Sequence, residues 1–283
     1  MEPGKVSATP FSAASSSGCR AALCLRLGLL LAAVVLAQPL PATSAPAPKK
    51  PADIPMSTLS AKFSDAAQIK LINARKKFQA DTNSIPAAWA LGQACFWRGE
   101  FEANDEERKA LANEGIAVCR TLTIHAPTVP EGHYYLAMNL GQLARTKWLE
   151  ALGIVKDLER GLKLASGMNP RLDHAGPDRC LGLLYRDAPG WPVSVGGKSK
   201  ARTHLLRSVE LAPEFPENHL VLVETWVMWK EKKILQRDLD TLAALLPKAR
   251  QQLTGGHWAA LWDDWERRWQ EVQARAGELL RKK

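Results

Sequence analysis

Gly196-Gly197-Lys198-Ser199 is where this sequence comes nearest to phosphate chemistry. In a phosphate-binding loop, glycines let backbone N–H groups cradle the anion while a lysine reaches the terminal phosphate. That loop also needs a glycine five residues ahead of the second one. Here the position is Pro192, and an apolar helical stretch stands where a strand should lead in. Val193-Ser194-Val195-Gly196 fails as a nucleophile elbow for the same reason, since Pro192 again holds the required glycine position. The six histidines (His125, His133, His174, His204, His219 and His257) show no HExxH spacing, and none sits beside a cysteine pair. Asp173, His174 and Asp178 lie close together, yet their carboxylates read better as charges at a helix start, where the dipole favours them. The residues therefore predict no catalytic group, no metal and no cofactor.

The elements around these residues explain why. Arg20 and Arg26 precede the eleven-residue apolar run Leu27 to Ala37, so residues 1–37 read as an export signal. Cleavage sites are offered at Ala37 and Ser44, with retention of the segment as the alternative. The run is shorter than the roughly 20 residues a spanning helix needs. Pro39, Pro41, Pro46, Pro48, Pro51 and Pro55 then make residues 38–57 an extended linker. Removing Lys5, Arg20, Arg26 and Glu2 lowers the formal charge from +9 to about +7, and what remains is scattered among acids. No basic stripe with interleaved aromatics appears, which excludes nucleic acid as the expected partner.

From Leu59 onward apolar residues recur at three and four, as in Leu59, Phe63, Ala67, Leu71, Ala74 and Phe78. Helical stretches close at Pro127, Pro170, Pro213 and Pro247, spaced 43, 43 and 34 residues apart. Such a period predicts an all-α solenoid of helical hairpins over residues 58–283, because one hairpin cannot bury both of its apolar faces alone. The phrases Pro130-Glu131-Gly132-His133-Tyr134-Tyr135-Leu136-Ala137 and Pro216-Glu217-Asn218-His219-Leu220-Val221-Leu222-Val223 resemble openings of helix A in the tetratricopeptide repeat. Leu91-Gly92 supplies a large-small pair in an earlier unit, and Lys198, Ala201 and Leu205 fit a helix B. The resemblance covers about four hairpins after an opening helix. Where the spacing exceeds 34 residues, it implies long loops between helices A and B.

The segment Leu181 to Gly197, with Gly176-Pro177 and His133-Tyr134-Tyr135 upstream, resembles the T component of tripartite TRAP-type transporters. That resemblance implies a non-enzymatic, exported periplasmic protein. It would bind a protein partner, such as the transporter's solute-binding subunit, or a small apolar ligand, and tend to form homo-oligomers. The alternative is a general scaffold of envelope assembly or secretion that takes peptide segments in its concave groove. Carried onto this register, the groove positions are Trp89, Gln93, Phe96, Trp97, Tyr134, Met138, Gln142, Tyr185, Leu220, Glu224 and Met228; ordinary core is the competing reading. Cys95 and Cys119 fall where helices A and B face each other, either as a disulfide or as two small apolar residues.

The chain has ten tryptophans against three tyrosines and six phenylalanines. Trp258, Trp262, Trp265 and Trp269 alternate four and three apart, continued by Val272, Ala276 and Leu279. Such a seam serves either a helix capping the last hairpin or an oligomer interface, and one long helix has room for both.

Overall fold

The structure, a computed structural model, describes residues 61–146 and 151–281; the export signal and the linker expected at 1–37 and 38–57 lie outside the described residues. A short 3-10 turn, Ala61–Phe63, leads into ten helices: α1 (Ser64–Ala80), α2 (Ile85–Glu100), α3 (Asp105–His125), α4 (Pro130–Thr146), α5 (Ala151–Met168), α6 (Gly176–Asp187), α7 (Lys198–Leu211), α8 (Pro216–Trp229), α9 (Lys232–Gln252) and α10 (Ala259–Arg281). Among the described residues there is no strand, only an isolated bridge between Gly190 and Gly196. The pairs α2–α3, α4–α5, α6–α7 and α8–α9 form four hairpins, each helix packing on the next. The architecture is an all-α hairpin solenoid.

Local chemistry sets the helix starts. Ser84 and Asn104 accept backbone N–H bonds from the first turns of α2 and α3, and α2, α6 and α8 carry proline in the first turn, where no N–H partner is lost. Helices A and B approach closely where one side chain is missing. A Cβ on Gly182 in α6 would lie 2.5 Å from Leu205 Cδ2 of α7, and one on Gly92 in α2 would overlap the Cys119 sulfur of α3. These contacts feed two large clusters, one around Tyr134, Met138, Leu158 and Leu184, the other around Phe215, Trp226, Leu235 and Trp265.

Two expectations about helix length need correction. Among the described residues the A-to-B connections are short at 101–104 and at 230–231 and long at 188–197. The excess over 34 residues lies in helix length, with 21 residues in α3, and in the seven-residue junction 169–175. Pro247 does not end its helix either, because α9 runs through it to Gln252. A proline inside a helix removes one hydrogen bond and crowds the carbonyl four residues back, at a cost of about 3 kcal/mol. Buried Leu242 and Ala249 on either side hold the helix to the core across that break.

The last hairpin is sealed by α10. Trp258, Trp262 and Trp265 are buried, and Trp269 is half-buried. The Trp265 indole N–H donates to Glu217 at 2.6 Å, and Arg268 binds Glu217, Glu224 and Asp264 at 2.9, 2.8 and 3.1 Å. Burial opposes the charge of Arg268, but the three carboxylates outweigh it and keep the guanidinium charged. The pairings of Glu217 with Trp265 and of Glu224 with Arg268 set α10 parallel to α8, in the place of a fifth helix A.

The close approach of α6 and α7 makes a signed test. Gly182→Ala gains helix propensity of about 1 kcal/mol. It must also overpack Leu205, which costs about 1–3 kcal/mol. The expected result is a lower urea midpoint. Gly277→Ala, with open space around the new methyl, should raise the midpoint. If both glycine replacements stabilise alike, the packing argument fails.

Candidate functional site

The positions assigned to a concave groove are mostly core. Phe96, Tyr134, Met138, Gln142, Tyr185 and Leu220 are buried, while Trp89, Gln93, Trp97 and Glu224 are half-buried and only Met228 is exposed. The reason is the tight stacking of successive helices A. Trp97 packs against both large clusters, Met138 meets Cys180 at 3.8 Å between the sulfurs, and Gln142 hydrogen-bonds buried Glu100. Trp89 stacks on Tyr135, and Gln93 reaches the same tyrosine's hydroxyl. Glu224 is taken by Arg268. These side chains hold helices together and leave no continuous aromatic trough.

The polar residues singled out by the sequence are likewise committed to the fold. Asp178 accepts the Ser166 hydroxyl at 2.7 Å on one oxygen and faces His204 Nδ1 at 2.8 Å with the other. A nucleophilic triad needs the imidazole between serine and carboxylate. Here the carboxylate stands in the middle, so Ser166 gains no base. Asp173 accepts the Tyr134 hydroxyl at 2.7 Å and faces Arg179. Among the described residues no group of three or more His, Cys, Asp or Glu is placed to hold a metal. Lys198 pairs with Glu231 at 3.0 Å, and the segment Gly196 to Ser199 follows a helix and a turn. Cys95 and Cys119 are free, buried thiols that sit in different clusters. The Cys119 sulfur fills the space that a Cβ on Gly92 would need, and burial pushes its pKa up to about 12, so the thiol stays protonated.

His133 and His219 have equivalent roles two hairpins apart. Each ring Nε2 donates to the carbonyl of its junction proline, Pro127 or Pro213, at 2.8 Å. The third junction lacks such a histidine and uses a different device. Asp173, His174 and Ala175 all adopt left-handed backbone, with φ of 50°, 53° and 61°. Nothing in the sequence pattern announced that turn. What secures it is Arg179, fully buried, which donates to the His174 carbonyl at 3.0 Å and to Asn218 at 2.7 Å and lies 5.3 Å from the Phe215 ring.

Open grooves are found at two places among the described residues. One, of about 360 Å³, runs between α9 and α10 and is lined by Ala243, Leu246, Pro247, Trp262 and Trp269 with Arg250, Glu266 and Gln273 at its rim. The other, of about 330 Å³, lies over α4 between α3 and α5 and mixes Leu136, Leu140 and Leu164 with Arg120, Asp157 and Arg160. The α9–α10 groove is the more apolar, and it occupies the place where a further helix B would pack.

Burial lowers the pKa of His174, with Arg179 adding to the effect, and burial lowers that of His219 despite its bond to Pro213. Both histidines are thus neutral in the fold at a pH where the unfolded chain, near 6.5, begins to take up protons. Stability should be full above about pH 7 and should fall as the pH drops through 6.5. Urea midpoints measured from pH 7.5 to 5.5 test this, and His219→Gln, which keeps a donor for Pro213, should flatten the slope. A wild-type midpoint that rises on acidification would contradict the assignment.

No protein-family model matches the chain, and no curated protein matches it. Among solved structures, a thermophilic tetratricopeptide-repeat protein of Thermus thermophilus is similar, with a TM-score of 0.49 and 20% identity, covering 77% of this chain and 90% of that one. The fold itself rests on the helices described above, four stacked hairpins between an opening and a closing helix.

Proposed function

We propose that the protein is a non-enzymatic, exported scaffold that holds a partner protein through the groove between α9 and α10. The observation that carries this reading is the groove itself. Leu246, Pro247, Trp262 and Trp269 form an apolar trough where the solenoid would place its next helix, rimmed by the Arg250–Glu266 ion pair at 3.2 Å. An amphipathic helix laid in such a trough continues the stacking that already buries α1 to α10. Apolar contact supplies the affinity, and the charged rim sets orientation.

Export is supported by the sequence of the first 37 residues. The resemblance of Leu181 to Gly197 to TRAP-type T components favours a periplasmic solute-binding subunit as the partner. A scaffold of envelope assembly or secretion is the second reading, and it uses the same groove for a different helix. A small apolar ligand is the third occupant, because the groove is large enough for one.

Affinity capture from an envelope extract separates these readings. Wild-type protein should retain a solute-binding subunit, and Leu246→Glu, which places a charge in the trough while leaving buried Leu242 and Ala249 in place, should lose it. Recovery of assembly factors in its stead would select the second reading. An identical set of retained proteins for wild type and Leu246→Glu would remove the groove from the function. Osmotic-shock fractionation tests export, and a protein found only in the cytoplasm would sink that part.

A further inference from the structure

The connection between α6 and α7 is built to hold one side chain outside. Gly196 N–H donates to the Pro189 carbonyl and Gly197 N–H to that of Tyr185, both at 2.8 Å, while the N–H groups of Val193 and Ser194 donate to the Gly190 carbonyl at 3.1 and 3.2 Å. Gly196 is required there, because a Cβ would overlap the Ala188 carbonyl. On the tip of this pinned turn Trp191 is 90% exposed, flanked by exposed Pro192 and by Val193, which is 45% exposed. Every other tryptophan whose burial is described is buried or half-buried. An indole removes about 150–250 Å² from water when covered. A fold that covers its other rings and fixes this one outside has placed it for contact.

The charge at the foot of the turn says what it contacts. Gly197 leads directly into Lys198, Lys200 and Arg202 at the start of α7. The turn from α8 to α9 brings Lys230, Lys232 and Lys233 to the same corner, because Glu231 between them pairs with Lys198 at 3.0 Å and with Arg202 at 2.7 Å. These two segments hold six basic residues and one acid. Since α10 runs parallel to α8, its C-terminal end at Arg281 points toward this edge as well. The corresponding turn of the first hairpin is acidic, with Glu102, Asp105, Glu106 and Glu107, in contrast to this corner.

We propose that this corner docks on an anionic lipid surface, with Trp191 and Val193 set into the headgroup layer and the lysines over the acidic lipids. An indole is amphipathic and settles at the membrane interface without a pocket of matching shape. Lysines on flexible stems give a diffuse attraction that suits a layer of mobile charges. The tip is a projection and belongs to neither groove, which favours a soft, flat surface over a shaped protein partner. Among the described residues no helix is long and apolar enough to cross a membrane, so the contact is peripheral. This inference stands apart from the α9–α10 groove.

The test is co-sedimentation of the full chain with vesicles of phosphatidylcholine alone and of phosphatidylcholine with phosphatidylglycerol, at low and at high salt. Binding should be selective for the anionic vesicles and should weaken with salt. With Lys5, Arg20 and Arg26 replaced by Gln in every sample, the apolar run at 27–37 binds both vesicle types alike, and the charge-selective fraction then reads the corner. Trp191→Ala should reduce that fraction several-fold. Lys230→Gln with Lys233→Gln should reduce it by about 25-fold, at roughly five-fold per lysine near the surface. Circular dichroism of each variant should match wild type, since the changed side chains are exposed. Failure to bind anionic vesicles, equal binding to neutral ones, or an unchanged fraction in Trp191→Ala would each overturn the proposal. Trp191-dependent binding to poly-glutamate with none to vesicles would overturn it in favour of an acidic protein partner.

Discussion

The guanidinium of Arg179 is the point on which the stacking of the hairpins turns. It is fully buried and donates to the His174 carbonyl and to Asn218, with the Phe215 ring below it and the Asp173 carboxylate 3.6 Å away. Those partners link three units: Asp173 and His174 lie in the junction before the third hairpin, Asp173 is in turn held by Tyr134 of the second, and Asn218 opens the fourth. Three consecutive left-handed residues cost on the order of 1–2 kcal/mol each. They persist because Arg179 and Asn218 satisfy the carbonyl they turn inward, and because the His174 ring stacks on Phe215 at 4.2 Å. A buried charge of this kind specifies one arrangement, since any slip of one hairpin leaves it unpaired in a dry interior.

The same logic recurs at both ends. Arg108, also fully buried, gathers the Gly99 and Glu102 carbonyls and ties the first A-to-B turn to α3. Arg268 draws Glu217, Glu224 and Asp264 together and fastens the closing helix. A solenoid buries each hairpin only by borrowing a neighbour's face, so its last hairpin needs a substitute neighbour. The tryptophans of α10 supply the area. Arg268 supplies the register, and Trp265 shares its carboxylate partner.

The sequence made the hairpins legible because their signals are local. Proline at 127, 170 and 213 each follows a helix end, and Ala67, Leu71 and Ala74 of α1 and Trp262, Trp265, Val272 and Ala276 of α10 fall on buried faces. Pro247 misled because ending a helix is a tendency of proline that tertiary packing can override, and here Leu242 and Ala249 hold both sides of the break. At the groove positions the sequence left groove and core both open, for a related reason. The family register says which way Tyr134, Met138 and Gln142 point, but not how far the next helix A stands from them. Met138 and Cys180 in sulfur contact close that distance. Arg179 and the left-handed junction carried no sequence signal at all, since an arginine one turn into a helix is more often a solvated side chain.

What remains for function is set by what the fold has already used. Asp178, His204, Ser166, Tyr134 and Asp173 spend their polar capacity on one another, and the aromatic positions facing inward spend theirs on packing. Repeat proteins with a wide superhelix keep the inner face free for ligands, but this chain fills that face with its own rings. Contact surface must then come from places where the stacking stops or is interrupted. One such place is beside α10, which packs on α8 and leaves the α9–α10 groove open among the described residues. The stacking is interrupted between α6 and α7, where ten residues take the place of a short turn and four backbone hydrogen bonds hold their tip outward. A loop that served only to join two helices would need neither that length nor that rigidity, since two residues suffice between α8 and α9. The extra residues cost conformational entropy on folding. Their retention in one fixed shape, with an indole at the outermost point, is the argument that the shape itself is used.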